Sequence, residues 1–155
     1  MGRKGCIPGR SRIRENKTRK NYGPLGCFID FREDMFSLTV AKDGNELVII
    51  FGGYFDLRQA GQFYKQTSEV IPKLKKGFSV LTDMSSLEHM DIGAKPYIEK
   101  TMDLLNKHGV SKVIRIIPDQ GKDIGLSILS LFHYSAGVAV HVCKSHQEAG
   151  EHLSQ

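Results

Sequence analysis

Residues 79–98, SVLTDMSSLEHMDIGAKPYI, decide how the chain is interpreted. The apolar run at the start predicts a short buried strand that ends at Asp83 and is followed by a turn. Met90 and Asp91 then precede a helical pattern, and Asp is a favoured N-cap residue. This succession is a common ligand site in α/β proteins, because the first N–H groups of a helix have no partner within it. Ile92, however, can neither titrate nor accept a phosphoryl group.

The sequence before this stretch predicts a β-hairpin and then an amphipathic helix. Residues 35–53 (MFSLTVAKDGNELVIIFGG) contain two apolar strand patterns separated by Asp43, Gly44 and Asn45, which is a strong hairpin signal. Apolar residues then recur at helical spacing as far as the region of Pro72. They are Leu57, Ala60, Phe63, Tyr64, Val70, Ile71 and Leu74.

The sequence after it alternates between helices and strands. A helical stripe at residues 94–105 carries Pro96 in its first turn, where Pro is tolerated, and Gly109 ends it. The remaining predicted elements are a strand at 110–118, a helix at 123–135 with an apolar stripe at Ile124, Ile128, Leu131 and Phe132, a strand at 137–143, and a short helix after a capping box at Ser145 and Glu148. This alternation predicts one layered α/β domain with right-handed crossovers.

The net charge of +5 belongs to the N-terminal segment. The chain has 22 basic and 17 acidic residues, of which residues 1–22 hold eight basic and one acidic, leaving 14 and 16 in the rest. Because residues 1–34 have few apolar side chains and no regular period, we predict a flexible basic arm before a folded domain at residues 35–155. The arm is either an incidental extension or an electrostatic contact for nucleic acid or an anionic membrane. Its candidate contact residues are Arg10, Arg12, Arg14, Lys17, Arg19 and Lys20.

Composition and motifs favour a cytoplasmic protein that is not an enzyme. Cys6, Cys27 and Cys143 are scattered and form no CxxC pair, which is typical of reduced thiols, and no run is long enough for a transmembrane segment. No nucleophile–base or zinc-protease motif is present. His141, Cys143 and His146 lack a recognisable ligand spacing, so we interpret them as a packed cysteine beside surface histidines and expect neither metal nor cofactor.

Residues 79–98 resemble the signature of the STAS domain family, the anti-sigma-factor-antagonist-like modules. That signature runs apolar-Leu-Asp-Leu-Ser-Gly-Val, one variable residue, then Phe-Met-Asp-Ser-Ser-Gly-Leu. The matching positions here, without a gap, are Leu81, Asp83, Ser85, Leu87, Met90 and Asp91. Residues 48–64 (VIIFGGYFDLRQAGQFY) and 138–153 (VAVHVCKSHQEAGEHL) are similar to the family's strand–helix entry and its final strand and helix. The resemblance extends over residues 36–153 and implies an N-terminal β-hairpin followed by alternating β/α units, in a mixed sheet of about five strands with four helices.

The resemblance also implies a function and a departure from it. Family members act by binding another protein, and a partner kinase phosphorylates the Ser that follows the Met-Asp pair. In this chain Ile92 takes the place of that Ser, Gly93 the place of the next, and Ala94 the place of the Gly. One interpretation is a loop that binds a regulatory partner (an anti-sigma-like kinase, a transporter or another protein) constitutively through Asp91, Ile92, Gly93, Ala94, Lys95, Ser85 and Ser86. The other has Asp91 as a helix N-cap, Ile92 partly buried and the function elsewhere.

A different class of function is binding of a lipid or a small apolar ligand. Some distant relatives of this fold resemble lipid-binding modules with an apolar cavity between sheet and helices. The aromatic side chains that could line such a cavity are Phe51, Tyr54, Phe55, Phe63, Tyr64, Phe132 and Tyr134. The alternative is that these side chains form an ordinary core, which their helix and strand spacing favours. A measurable cavity would distinguish the two.

Overall fold

A computed structural model of the chain describes residues 21–22, 28–29, 35–119 and 124–155, with the side chains of residues 35–119 and 129–155. The β-strands are β1 (Asn21–Tyr22), β2 (Phe28–Ile29), β3 (Phe36–Val40), β4 (Glu46–Phe55), β5 (Ser79–Met90), β6 (Lys112–Ile116) and β7 (Ala139–Cys143). The α-helices are α1 (Leu57–Val70), α2 (Lys95–His108), α3 (Ile124–His133) and α4 (His146–Leu153), and short 3-10 helices cover Ile71–Lys73 and Ile92–Ala94.

Five strands form one mixed sheet in the order β3-β4-β5-β6-β7. β3 and β4 are antiparallel and are joined by the predicted hairpin turn, in which Gly44 has a φ of 72°. The pairs β4–β5, β5–β6 and β6–β7 are parallel. The predicted α/β fold, with an N-terminal hairpin, a five-stranded mixed sheet and four helices, is therefore confirmed.

The predicted basic arm falls mainly outside the described residues. Within residues 1–34 the structure describes only β1 and β2, which pair antiparallel with Asn21 opposite Ile29 and Tyr22 opposite Phe28. The six arm residues predicted to make electrostatic contacts all lie outside the described ranges. The arm and its boundary at residue 35 therefore stay predictions.

The predicted end of the central strand at Asp83 is wrong. β5 continues to Met90 and pairs with β4 as far as Phe55, through two register shifts beside Gly52 and Gly53. Beyond Asp83, which is opposite Ile116, the ladder between β5 and β6 has ended. The later part of β5 therefore has one neighbouring strand in the sheet and needs few apolar residues. The polar residues that follow Asp83 therefore have the pattern of a turn although they continue the strand.

The larger core lies between the sheet and helices α1 and α2. Its centre is a group of buried aromatic rings, in which Phe51 and Phe55 are edge-to-face at a centroid distance of 4.8 Å and Phe36 and Phe63 at 5.4 Å. A smaller cluster on the other face packs the strands against α4 through Ala149. The sheet is thus covered by helices on both faces, as expected for parallel strands.

Helix α3 leaves two residues of the predicted stripe exposed. Leu131 and Phe132 are 82% and 79% exposed, whereas Ser130 is buried and its hydroxyl accepts a hydrogen bond from the buried Arg115 guanidinium of β6. Leu129, beside Ser130, packs against the larger core. The side chains of Ile124 and Ile128 lie outside the described residues. In the part of the chain that the structure describes, no helix is both long and apolar enough to cross a bilayer.

Candidate functional site

The turn after β5 is held in place by the backbone and by one carboxylate. Asp91 donates its N–H to the carbonyl of Phe55 at 2.9 Å, and its side chain accepts from the N–H of Gly93 at 2.8 Å. Its carbonyl accepts from the N–H of Ala94, also at 2.9 Å. Asp91 is thus the N-cap of the 3-10 turn Ile92–Ala94, which leads directly into α2. The predicted capping by Asp91 is observed, and the turn is rigidly connected to the end of β4.

Ile92 points away from the domain. It is 87% exposed, so the alternative in which it is partly buried is wrong. Two other apolar side chains at this end of the sheet, Tyr54 at the end of β4 and Leu57 at the start of α1, are each about half exposed. Tyr54 stacks on His89 of β5 at a centroid distance of 4.9 Å. We call these four residues (Tyr54, Leu57, His89 and Ile92) the turn patch.

The two strands and the start of α1 bring the turn patch together. Tyr54 and His89 are register partners in the β4–β5 ladder, and Phe55 is paired with Met90 just before the turn. A Cβ on Gly93 would lie 3.7 Å from the Cβ of Leu57, so α1 begins directly beside the turn. The sequence pattern indicates Ile92 but not Tyr54, Leu57 or His89, because the register of a β4–β5 pair with two shifts is needed to place them.

The other predicted site residues of the turn differ in accessibility. Gly93 is half-buried, and Lys95 is exposed and forms a 3.7 Å ion pair with Glu99 one helical turn later. Ala94 is fully buried in the larger core, so it supports the turn and offers no surface to a partner. The contact surface at the turn is therefore formed by Ile92 and its neighbours.

Ser85 and Ser86 do not join this surface. Both lie inside β5, six and five residues before Asp91, which corresponds to roughly 20 Å along a strand. The hydroxyl of Ser85 donates to the Asp83 carboxylate at 2.6 Å, and its N–H donates to the same oxygen at 2.9 Å. Ser85 therefore belongs to a different group of side chains.

That group is centred on the buried carboxylate of Asp83. Nε2 of His146, at the start of α4, lies 2.7 Å from the second carboxylate oxygen, 63 residues away in sequence. The carboxylate is thus the central group, with Ser85 on one oxygen and His146 on the other. A nucleophile–base relay needs the imidazole in the centre, so this geometry is that of a structural polar cluster. The sequence feature that indicates such a cluster is an Asp at an inward position of a buried strand, because a buried carboxylate needs polar partners.

The predicted packing of Cys143 is observed, and the histidines near it separate. His146 turns to Asp83, while the ring of His141 stacks on that of His152 at 4.1 Å. Cys143 is fully buried at the end of β7, and burial, followed by the neighbouring carboxylates, raises the pKa of its thiol. Burial and then His152 lower the pKa of His141.

Some of the candidate aromatic side chains lie around a small cavity in the larger core. Three of the seven candidates, Phe51, Phe63 and Tyr134, line a cavity of about 50 Å³ between the sheet and the helices. Tyr54 and Phe132 are instead exposed at the surface. Burial raises the pKa of Tyr134 to about 12, with the nearby Arg115 acting in the opposite direction. Small-molecule sites usually enclose about 300–1,000 Å³, so this cavity gives little support to a lipid ligand.

Several solved structures are similar to this chain. A protein of the DUF3478 family with a SpoIIAA-like fold from Shewanella loihica has a TM-score of 0.61 at 12% identity, covering 81% of this chain and 98% of its own. The anti-sigma factor antagonist SpoIIAA in its unphosphorylated form gives 0.54 at 16%, covering 77% and 97%. A putative anti-sigma factor antagonist from Thermotoga maritima gives 0.53 at 16%, covering 78% and 96%.

No protein-family model and no curated protein sequence matches the chain. At 12–16% identity, the structural similarity establishes the fold. The similarity to those structures covers about four-fifths of the chain, so the resemblance seen in the sequence is confirmed at the level of the fold, and the chain has the SpoIIAA-like fold that a resemblance to the STAS domain family implies.

Proposed function

We propose that this protein is a non-enzymatic regulatory module that binds a partner protein through the turn patch. The observation that carries the proposal is the 87% exposure of Ile92 on a turn held by the Asp91 cap. An apolar side chain on a pre-ordered turn loses little conformational entropy when it binds, so more of its buried area contributes to affinity. Tyr54 and Leu57 beside it extend the apolar surface, and tyrosine is enriched among residues that dominate binding energy.

The binding would not be controlled by phosphorylation of the turn. Ile92 stands where the family resemblance places the phosphoacceptor, and Gly93, which follows it, also has no hydroxyl. The exposed Ser85 lies elsewhere and its hydroxyl is bonded to Asp83. A partner that recognises the turn patch would therefore bind it constitutively, and the amount of complex would depend on the abundance or state of the partner. A STAS-type serine kinase is expected to leave residues 91–95 unmodified, which mass spectrometry of the protein after incubation with such a kinase would check.

The test places a charge on the turn patch and a matched charge elsewhere. We expect Ile92→Asp to weaken partner binding by about 30-fold or more, because the carboxylate would have to lose water at the interface without a counter-charge. The thermal midpoint is expected to change little, since the side chain is exposed and lies beside a helix N-terminus, where negative charge is tolerated. Leu131→Asp is the control, because Leu131 is 82% exposed on α3.

The partner would first be captured by a photo-crosslinking side chain at position 92 and identified by mass spectrometry, after which its affinity for the three purified proteins would be measured. Equal affinity for the wild type and Ile92→Asp, with both folded, would refute the proposal. Loss of affinity in Leu131→Asp alone would move the binding surface to α3.

A further inference from the structure

Three side chains with metal-ligand chemistry converge on the α4 side of the sheet. They are Cys143 at the end of β7, and Glu148 and His152 of α4; one ligand atom from each lies within 4.8 Å of the other two. Glu148 and His152 are four residues apart and therefore share one face of α4. Ala149, next to Glu148, is buried against the strands, so this part of α4 lies directly against the sheet. The packing of α4 thus brings both side chains to the thiol.

A second observation points to a ligand. Nδ1 of His152 is buried and has no hydrogen-bond partner among the described residues. A buried ring nitrogen without a partner costs free energy whether it carries a proton or a lone pair. The ring stacks on that of His141, and Lys112 holds the main chain of the same residue by donating to the His152 carbonyl at 2.7 Å. A cation bound by the lone pair of an imidazole nitrogen would satisfy this group.

Glu148 is likewise oriented before any ligand binds. One of its carboxylate oxygens accepts the N–H of Lys144 at 2.8 Å, and its own N–H donates to the Ser145 hydroxyl at 3.2 Å. The carboxylate has a second oxygen, and hydrogen bonds of this kind hold metal-ligating carboxylates in place. The three donors are therefore pre-positioned by the strand end, the helix cap and the ring stack.

We propose that Cys143, Glu148 and His152 bind a divalent metal ion of the zinc class. A thiolate, an imidazole and a carboxylate are the ligand types that Zn²⁺ and Co²⁺ accept, whereas Mg²⁺ and Ca²⁺ prefer oxygen ligands alone. Binding requires the thiol proton to leave to solvent as the Cys143 sulfur–metal bond forms. Three protein ligands leave a fourth tetrahedral position for water. The ion would connect α4 to β7.

The test uses Co²⁺ as a spectroscopic probe and Zn²⁺ as a competitor. The full chain carrying Cys6→Ser and Cys27→Ser is the starting protein, so that Cys143 is the remaining thiol. We expect a thiolate-to-cobalt charge-transfer band with the visible bands of tetrahedral Co²⁺, removed by Zn²⁺ and absent in Cys143→Ala. Glu148→Gln and His152→Ala should each weaken binding at least about tenfold.

His146→Gln is the matched control, because His146 is on the same helix but bonds to Asp83, and it should bind Co²⁺ as the starting protein does. Zn²⁺ should also raise the thermal midpoint of the starting protein and not that of His152→Ala. The helix variants keep the test decisive if Cys143→Ala does not fold, since Glu148 and His152 are only half-buried. The absence of a thiolate band in the starting protein would overturn the site, and so would helix variants that both bind Co²⁺ as tightly as the starting protein does.

Discussion

At the scale of single residues, we expect a histidine–aspartate contact to stabilise the fold more where the carboxylate is buried than where it is exposed. His146 and His133 each lie 2.7 Å from an aspartate, but Asp83 is buried whereas Asp103 is largely exposed. Removing a hydrogen-bond partner from a buried group costs about 1–3 kcal/mol, while an exposed ion pair contributes about 0–1 kcal/mol. We expect His146→Ala to reduce the free energy of unfolding by more than His133→Ala. Urea denaturation of both variants measures this, and equal losses would mean that water replaces His146 on Asp83 without cost.

We expect Tyr134 to lower the stability of the fold as the solution becomes alkaline. Its pKa is about 12 in the folded protein against an ordinary value of 10.0, so the folded state disfavours the phenolate. The stabilisation is complete below pH 10 and is lost as the pH rises from 10 to 12, where the unfolded chain releases the proton first. The expected loss from this group is about 3 kcal/mol. Denaturation curves of Tyr134→Phe should decline less over that range than those of the wild type, with Tyr54→Phe as the control for loss of a hydroxyl.

At the scale of elements, two glycines in left-handed turns distinguish the cost of a left-handed backbone from the cost of a steric clash. Gly44 in the β3–β4 turn and Gly77 before β5 have φ values of 72° and 89°. A Cβ on Gly44 would lie 2.7 Å from the carbonyl oxygen of Lys73, whereas one on Gly77 would meet nothing within 4 Å. Gly77→Ala should therefore cost only the left-handed conformation, about 1–2 kcal/mol. Gly44→Ala should cost more, because backbone must move, and equal thermal shifts would contradict this.

The elements also show what local patterns can and cannot predict. Gly109 at the end of α2 and the Asp91 cap before it were recognised because each depends on a few neighbouring residues. The length of β5 was not, because residues after Asp83 are paired through β4, which is distant in sequence. The orientation of α3 was missed for the same reason. Ser130 of this helix contacts Arg115 of β6, which is 15 residues away in sequence.

At the scale of the whole molecule, the turn patch and the proposed metal site each contain one residue that the sequence indicates and others that only the fold brings beside it. Ile92 was singled out because it replaces a hydroxyl in the family signature, and its exposure follows from the cap beneath it. Leu57 joins it because α1 starts beside the turn. The cysteine of the other site was noticed as well, but with His146 as its neighbour. The packing of α4 against β7 places Glu148 and His152 beside this cysteine instead.

The basic arm supplies the last prediction, because its charge and its contribution to folding can be tested separately. Met35 at the boundary is bonded to the domain, since its N–H donates to Gln59 and its carbonyl accepts from Gly52. A pair of two-residue strands such as β1 and β2 is too small to contribute much stability alone. A chain that begins at Met35 should therefore unfold within a few degrees of the full chain, and a larger loss would show that the arm packs on the domain.

The same truncation removes nine basic and four acidic residues and leaves 13 of each, so the remaining chain has no net charge. If the arm binds phosphates, the full chain should bind duplex DNA or anionic vesicles with an affinity that falls steeply with salt, while the truncated chain should bind neither. Neutral vesicles are the control for apolar adsorption. Binding that persists at high salt, or that survives the truncation, would instead place the contact on the folded domain, where Ile92, Leu131 and Phe132 are the most exposed large apolar side chains among the described residues.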